Sequence, residues 1–161
     1  MASRFRGTVG ESFGSAVAIS GDTAAVGANV EDTWRGAAYV FTRSDGVWTG
    51  QQKLTASDAA AEARFGWSVA LYGDTLAVGA YSDQGRGAAY VFTRAGGVWT
   101  EREKLTASDG AANDRLGWSV ALFGDTVAAG APMKNDPEYD SGAAYAFTIG
   151  NLVRGTGWAL H

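Results

Sequence analysis

Cysteine is absent from this chain of 161 residues, so neither a disulfide, a thiolate metal site nor a cysteine nucleophile can be built from it. That absence leaves the compartment open. Histidine occurs once, as His161, so schemes that turn on a positioned imidazole have little to draw on. No apolar run approaches the roughly 20 residues that cross a bilayer as a helix, and residues 1–10 lack the apolar run of a signal peptide. Positive charge is also short: 13 Lys and Arg stand against 17 Asp and Glu, a net charge of −4. A nucleic-acid binder needs a basic face to displace counterions, and an anionic membrane surface needs the same, so neither partner is expected. No Gly-x-Ser-x-Gly elbow and no phosphate-binding loop is present, and no acid and base pair stands out from the rest. The expectation is a chain that is not an enzyme and carries no cofactor and no metal.

What the chain has is glycine, 23 residues against two prolines, placed at recurring positions between apolar runs. Phe13-Gly14, Phe65-Gly66 and Leu116-Gly117 open three copies of one unit, their first residues 52 and then 51 positions apart. Each copy continues through Gly21-Asp22-Thr23, Gly73-Asp74-Thr75 or Gly124-Asp125-Thr126, and then Gly27-Ala28, Gly79-Ala80 or Gly130-Ala131. A period near fifty residues marks a solenoid, a propeller or an array.

Within a copy, two short apolar runs flank the Gly-Asp turn, which predicts two strands joined tightly. A third run, residues 36–43, returns as 87–94 and in altered form as 142–148. Asp45-Gly46 and Gly96-Gly97 then read as hairpin turns into a fourth, partly charged strand ending at Thr55 and Thr106. Small residues such as Ala16, Ala18, Ala24 and Ala25 come early in the unit, while Tyr39, Phe41 and Trp48 come late. Small inside and large outside describes a wedge. Four-stranded wedges around an axis make a β-propeller, whereas a linear β-solenoid has shorter repeats. The expected fold is therefore all-β, one repeat domain over residues 1–161, with blades at about 11–58, 63–109 and 114–161.

The recurring Phe-Gly and Gly-Ala pairs, with a full Gly130-Ala131-Pro132 in the third copy, resemble the FG-GAP repeats of integrin α-subunit propellers and their bacterial relatives. The Gly-Ala-Ala-Tyr-Val-Phe-Thr strand and the segment Lys53-Leu54-Thr55-Ala56-Ser57-Asp58 belong to the same resemblance, which runs from about Glu11 to Thr148. It implies an extracellular or cell-surface setting. Many integrin blades carry an acidic calcium loop between their first two strands, but here that connection has shrunk to Gly-Asp-Thr. One carboxylate cannot supply the six to eight oxygens calcium takes. Asp22, Asp74 and Asp125 read instead as turn residues whose side chains bond their own backbone.

Three blades cannot close a ring of the usual four to eight. The expectation is a half propeller that pairs as a homodimer of six blades, the two-fold being the commonest oligomer symmetry. The third copy lacks the Gly-Val-Trp and Lys-Leu-Thr-Ala-Ser-Asp segments. Leu54 and Leu105 each lie 12 residues past the Thr that ends the third run, and Leu160 lies 12 past Thr148. Residues 155–160, with Trp158, are one candidate for the missing strand, and exchange of residues 4–9 between subunits is another. A segment cut from a longer propeller is a third reading.

Copies differ most in the loop after Gly-Ala, and variable loops are where repeat scaffolds bind. Asp32, Trp34 and Arg35 in the first, Tyr81, Asp83 and Arg86 in the second, and Asp136, Tyr139 and Asp140 in the third are the candidate ligand residues. Aromatics beside Arg and Asp suit a protein interface or a sugar. Asn135, Asp136, Glu138 and Asp140 read as a solvated acidic turn rather than a calcium site. Trp67 and Trp118 read as packing between blades. The function expected is a non-catalytic scaffold for protein interaction or self-assembly, with a lectin-like carbohydrate module as the alternative.

Overall fold

A computed structural model describes residues 3–135, 138, 139 and 141–150. Repeat 1 folds into an antiparallel sheet of four strands in sequence order, β1 (Phe13–Ser20), β2 (Thr23–Ala28), β3 (Ala37–Ser44) and β4 (Val47–Leu54). Repeat 2 does the same with β5 (Ser68–Tyr72), β6 (Thr75–Ala80), β7 (Ala88–Ala95) and β8 (Val98–Leu105). Among the described residues repeat 3 contributes three strands, β9 (Ser119–Phe123), β10 (Thr126–Ala131) and β11 (Ala143–Thr148). The proposed strand at 155–160 lies outside the described residues. Residues 4–8 form no strand; Phe5 stacks on Phe41 with ring centroids 4.1 Å apart and meets Trp48 edge-on. Among the described residues, helix is limited to a single turn, α1 (Glu31–Trp34), and a 3-10 turn at Asp83–Gly85.

The Gly-Asp-Thr turns do more than reverse the chain. The Asp22 carboxylate accepts from Arg43 Nε at 2.7 Å, and Asp74 accepts from Arg94 Nε at the same distance. This corrects the expectation of a bond to the turn's own backbone: the carboxylate reaches the end of the third strand instead. In repeat 3, Ile149 replaces the arginine, and only its backbone N–H donates to the Asp125 carbonyl, at 2.8 Å.

The three sheets stack face against face, with β5 lying between β1 and β9. Each joint sets small residues against large ones. Ala25, Ala38 and Val40 of sheet 1 meet Phe65, Tyr90 and Phe92 of sheet 2. Ala77, Ala89 and Val91 of sheet 2 meet Leu116, Tyr145 and Phe147 of sheet 3. The joint is close enough that backbone meets backbone. A Cβ on Gly27 would lie 2.0 Å from the Gly66 carbonyl oxygen, and one on Gly66 2.2 Å from that of Ala37. The same contacts recur at Gly79 with Gly117 and at Gly117 with Ala88. Phe-Gly of one repeat and Gly-Ala of the one before it are thus two sides of one joint, which side chains larger than hydrogen would hold apart. Parallel bridges Gly36–Phe65 and Gly87–Leu116 fix the alignment.

Candidate functional site

The three variable loops leave β2, β6 and β10 on the same side of their sheets. In the first, Asp32, Thr33 and Trp34 take φ of 48°, 56° and 62°, a left-handed run that costs of order 1 kcal/mol per residue. Backbone bonds hold it: Gly36 N–H donates to Glu31 at 2.9 Å, Arg64 N–H to Trp34 at 2.9 Å and Phe65 N–H to Arg35 at 3.0 Å. The linker between repeats therefore braces the loop. Asp32 and Arg35 form an exposed ion pair at 3.2 Å, and the Arg64 guanidinium lies 4.5 Å from the centre of the partly exposed Trp34 ring. Asp32 and Arg35, with Glu31, Gly36, Lys53, Thr55 and Ala59, line a cavity of about 220 Å³. Two of the three residues expected in this loop thus share one polar cleft.

The second loop behaves differently. Tyr81 packs against Trp67 at 4.6 Å and Trp118 at 4.9 Å between ring centroids, and the Arg115 guanidinium lies over both Tyr81 and Trp118. Trp67 and Trp118 are themselves 4.9 Å apart, so they join sheets 2 and 3. Asp83 is buried and paired with Lys104 at 2.7 Å, its carboxylate turned into the protein. Arg86 is exposed, and its carbonyl accepts from Leu116 N–H at 3.1 Å. In the third loop Tyr139 is exposed, while Asp136 and Asp140 lie outside the described residues.

A recurring knot of lysine, tyrosine and carboxylates, not singled out in the sequence, sits below these loops. In sheet 1, Tyr39 O–H donates to Glu31 at 2.6 Å and Lys53 pairs with the same carboxylate. In sheet 2, Tyr90 O–H donates to Asp58 at 2.8 Å, and Lys104 bridges Asp58 at 2.5 Å and Asp83. In sheet 3, Tyr145 O–H donates to Asp109 at 2.8 Å, and Lys134 bridges Asp109 and Asp114. Asp58 and Asp109 close the segments that leave repeats 1 and 2, so each ties its repeat to the next. The legible signal was the recurrence of Lys-Leu-Thr-Ala-Ser-Asp together with the tyrosine of Gly-Ala-Ala-Tyr.

The electrostatics show what the knots are suited to. Burial, reinforced by the Asp58 bond, pushes the Tyr90 phenol far above its ordinary value, and burial with Glu31 does the same to Tyr39. Burial, the largest single influence, opposes the charge on Lys104 and on Asp58, yet the bonds of Lys104 to Asp58 and Asp83 and those of Asp58 to Lys104 and Tyr90 together outweigh it and leave the lysine raised and the carboxylate lowered. Each of these groups moves away from neutrality. A general acid or base works best when its pKa lies near the working pH, so these are structural ties.

The FG-GAP repeat family model matches residues 7–41, 48–92 and 99–147. The chain belongs to the FG-GAP repeat family. A search of curated proteins finds no match. The family is generally non-catalytic, and in this FG-GAP chain its two signature dipeptides are the joint between sheets. Among the described residues the joints also leave two FG-GAP faces uncovered. On sheet 3, Ala121, Ala128, Ala144 and Ala146 are exposed, with Phe123 at 75% of its full accessibility. On sheet 1, Val17 is 72% and Ile19 66% exposed.

Proposed function

We propose that this FG-GAP chain is a non-catalytic interaction module of propeller type: one domain over residues 1–161, a half propeller with blades at about 11–58, 63–109 and 114–161. Two copies close a six-bladed ring, and the loops carrying Asp32, Trp34 and Arg35, Tyr81 and Arg86, and Tyr139 face a protein ligand. The observation that carries self-association is the fate of one set of positions. Ala77, Ala89 and Val91 are fully buried between sheets 2 and 3, whereas their counterparts Ala128, Ala144 and Ala146 on sheet 3 lie open. The other open face, with Phe13, Val17, Ile19, Tyr39 and Phe41, has the large residues that fill such a surface at both internal joints. Small against large is the rule inside the chain, and a second copy placed head to tail repeats it twice. Exposed apolar faces of this kind mark association surfaces.

Light scattering across a concentration series tests the reading. A dimer that Ala146→Asp or Val17→Asp converts to monomer, with unchanged circular dichroism, is the expected result. A wild-type monomer at every concentration defeats self-association, and an unbounded series of larger species defeats ring closure, because head-to-tail contacts that do not close make filaments.

A further inference from the structure

Residues 3–8 form no strand, yet they lie against the outer half of the open face of sheet 1. Phe5 stacks on Phe41 with ring centroids 4.1 Å apart and meets Trp48 edge-on at 5.8 Å. Two residues on, Gly7 is pressed against Phe13: an added Cβ would stand 2.3 Å from the Phe13 Cβ. The Thr8 N–H donates to the Glu11 carboxylate at 2.9 Å and ties down the end of the segment. Phe5 is partly buried, while Arg4 and Arg6 on either side of it are exposed. That is the alternation of an extended chain with one side on protein and the other in water. Farther along the face the cover stops, for an added Cβ on Gly14 meets nothing within 4 Å, and Val17 and Ile19 stand open.

The first internal joint shows whose place this segment takes. Phe92 and Trp99, the counterparts of Phe41 and Trp48, are buried there in one cluster with Val40 and Leu54 of the preceding sheet. Phe65, the counterpart of Phe13, is fully buried in the same cluster. On sheet 1 these three positions are met by Phe5 and Gly7 instead. We propose that residues 3–8 are a strap over the outer half of the surface that a second copy covers, and that two copies pair only when the strap leaves. Strap and partner exclude each other, because the side chains of the two sheets at the internal joint meet directly and leave no layer for a further chain. The outer side of the strap also mismatches the incoming face. Ala128, Ala144 and Ala146 offer no carboxylate to Arg4 and Arg6, and a guanidinium that loses its water without a partner is costly. The strap gives an apolar face a polar outside, as the end of a repeat array requires for solubility. Its role rests on the pairing of two copies proposed above.

Light scattering across a concentration series tests it on the full chain with two strap variants. Phe5→Ser removes the ring contact, and Gly7→Val drives the strap off Phe13. A strap that is open about a tenth of the time weakens one joint about tenfold and a ring of two such joints about a hundredfold. Each variant is therefore expected to tighten the dimer dissociation constant by on the order of 10- to 100-fold, and adding Ala146→Asp returns it to monomer. Circular dichroism checks the fold, and because the two variants act at separate contacts, one that folds suffices. An unchanged dissociation constant overturns the strap and leaves self-association standing. A weaker dimer overturns it as well, by making residues 3–8 part of the interface. Association that survives Ala146→Asp is non-specific and counts against it equally. Monomers in the wild type and in every variant defeat self-association and the strap together.

Discussion

Sheets 2 and 3 are written from nearly the same residues, yet Val91 and Ala89 of sheet 2 are fully buried while Ala146 and Ala144 of sheet 3 lie open. Among the described residues sheet 2 has a neighbour on both sides and sheet 3 on one. The same contrast runs through the leading faces, where Phe65 is fully buried and its counterpart Phe13 only partly so. Burial here is a property of the joint, not of the strand. A position in the repeat carries stability only when another repeat is laid against it.

The sharpest way to break this comparison is a pair of glycine substitutions. Gly66 and Gly14 occupy the same place in the repeat with similar φ of 86° and 92°, but an added Cβ meets the Ala37 carbonyl at 2.2 Å in one and nothing within 4 Å in the other. Gly66→Ala should cost about 4 kcal/mol or more, from overpacking on top of an unfavourable φ, whereas Gly14→Ala should cost about 1 kcal/mol. Urea denaturation of the two variants decides it, and equal losses would show that the joint is not what the glycine serves.

A cavity pair comes next. Phe65→Ala empties the first joint and is expected to cost about 3–4 kcal/mol, while Phe13→Ala, at the open face, should cost about 1–2 kcal/mol. If a second copy covers sheet 1, the Phe13→Ala cost grows with protein concentration, and a concentration-independent value would count against that cover.

The smallest expected effect lies in pH. Bonds from Tyr145 and then Lys134 lower Asp109 against a burial effect that opposes them, and Asp58 is lowered as well, because its bonds to Lys104 and Tyr90 outweigh the burial that would raise it. A depressed carboxylate contributes stability that is full above its unfolded value, near pH 4, and is lost as pH falls through the folded value. Tyr90 runs the other way: raised in the fold, it contributes below about pH 10 and loses that contribution as pH climbs. Asp58→Asn should shallow the acid limb of a stability-against-pH curve and leave the share of Asp109 in place. An acid limb of unchanged slope would sever the tie between repeats 1 and 2 from stability.

Much of the fold was legible because the repeat is its own control. Gly-Asp turns, the alternating third run and the Asp45-Gly46 hairpin each recur, so local turn chemistry could be read and compared within one chain. The knots were harder to see, because Asp58 and Tyr90 lie 32 residues apart and meet only once two sheets are stacked. Of the loop candidates, Trp34 and Tyr81 look alike as aromatics after Gly-Ala. One stays partly exposed beneath Arg64 and the other is wedged between Trp67 and Trp118, which no local pattern distinguishes.

By itself, the sequence determined the unit: strand lengths, turn positions and the places where only glycine stands, because these depend on φ preference and on alternation along a single strand. The stacking of sheets decided the rest. Which alanines are core and which are surface, which carboxylate answers which lysine, and which loop residue faces water depend on the neighbour a face receives, and apolar burial and ion pairing act only across the short distances that stacking creates.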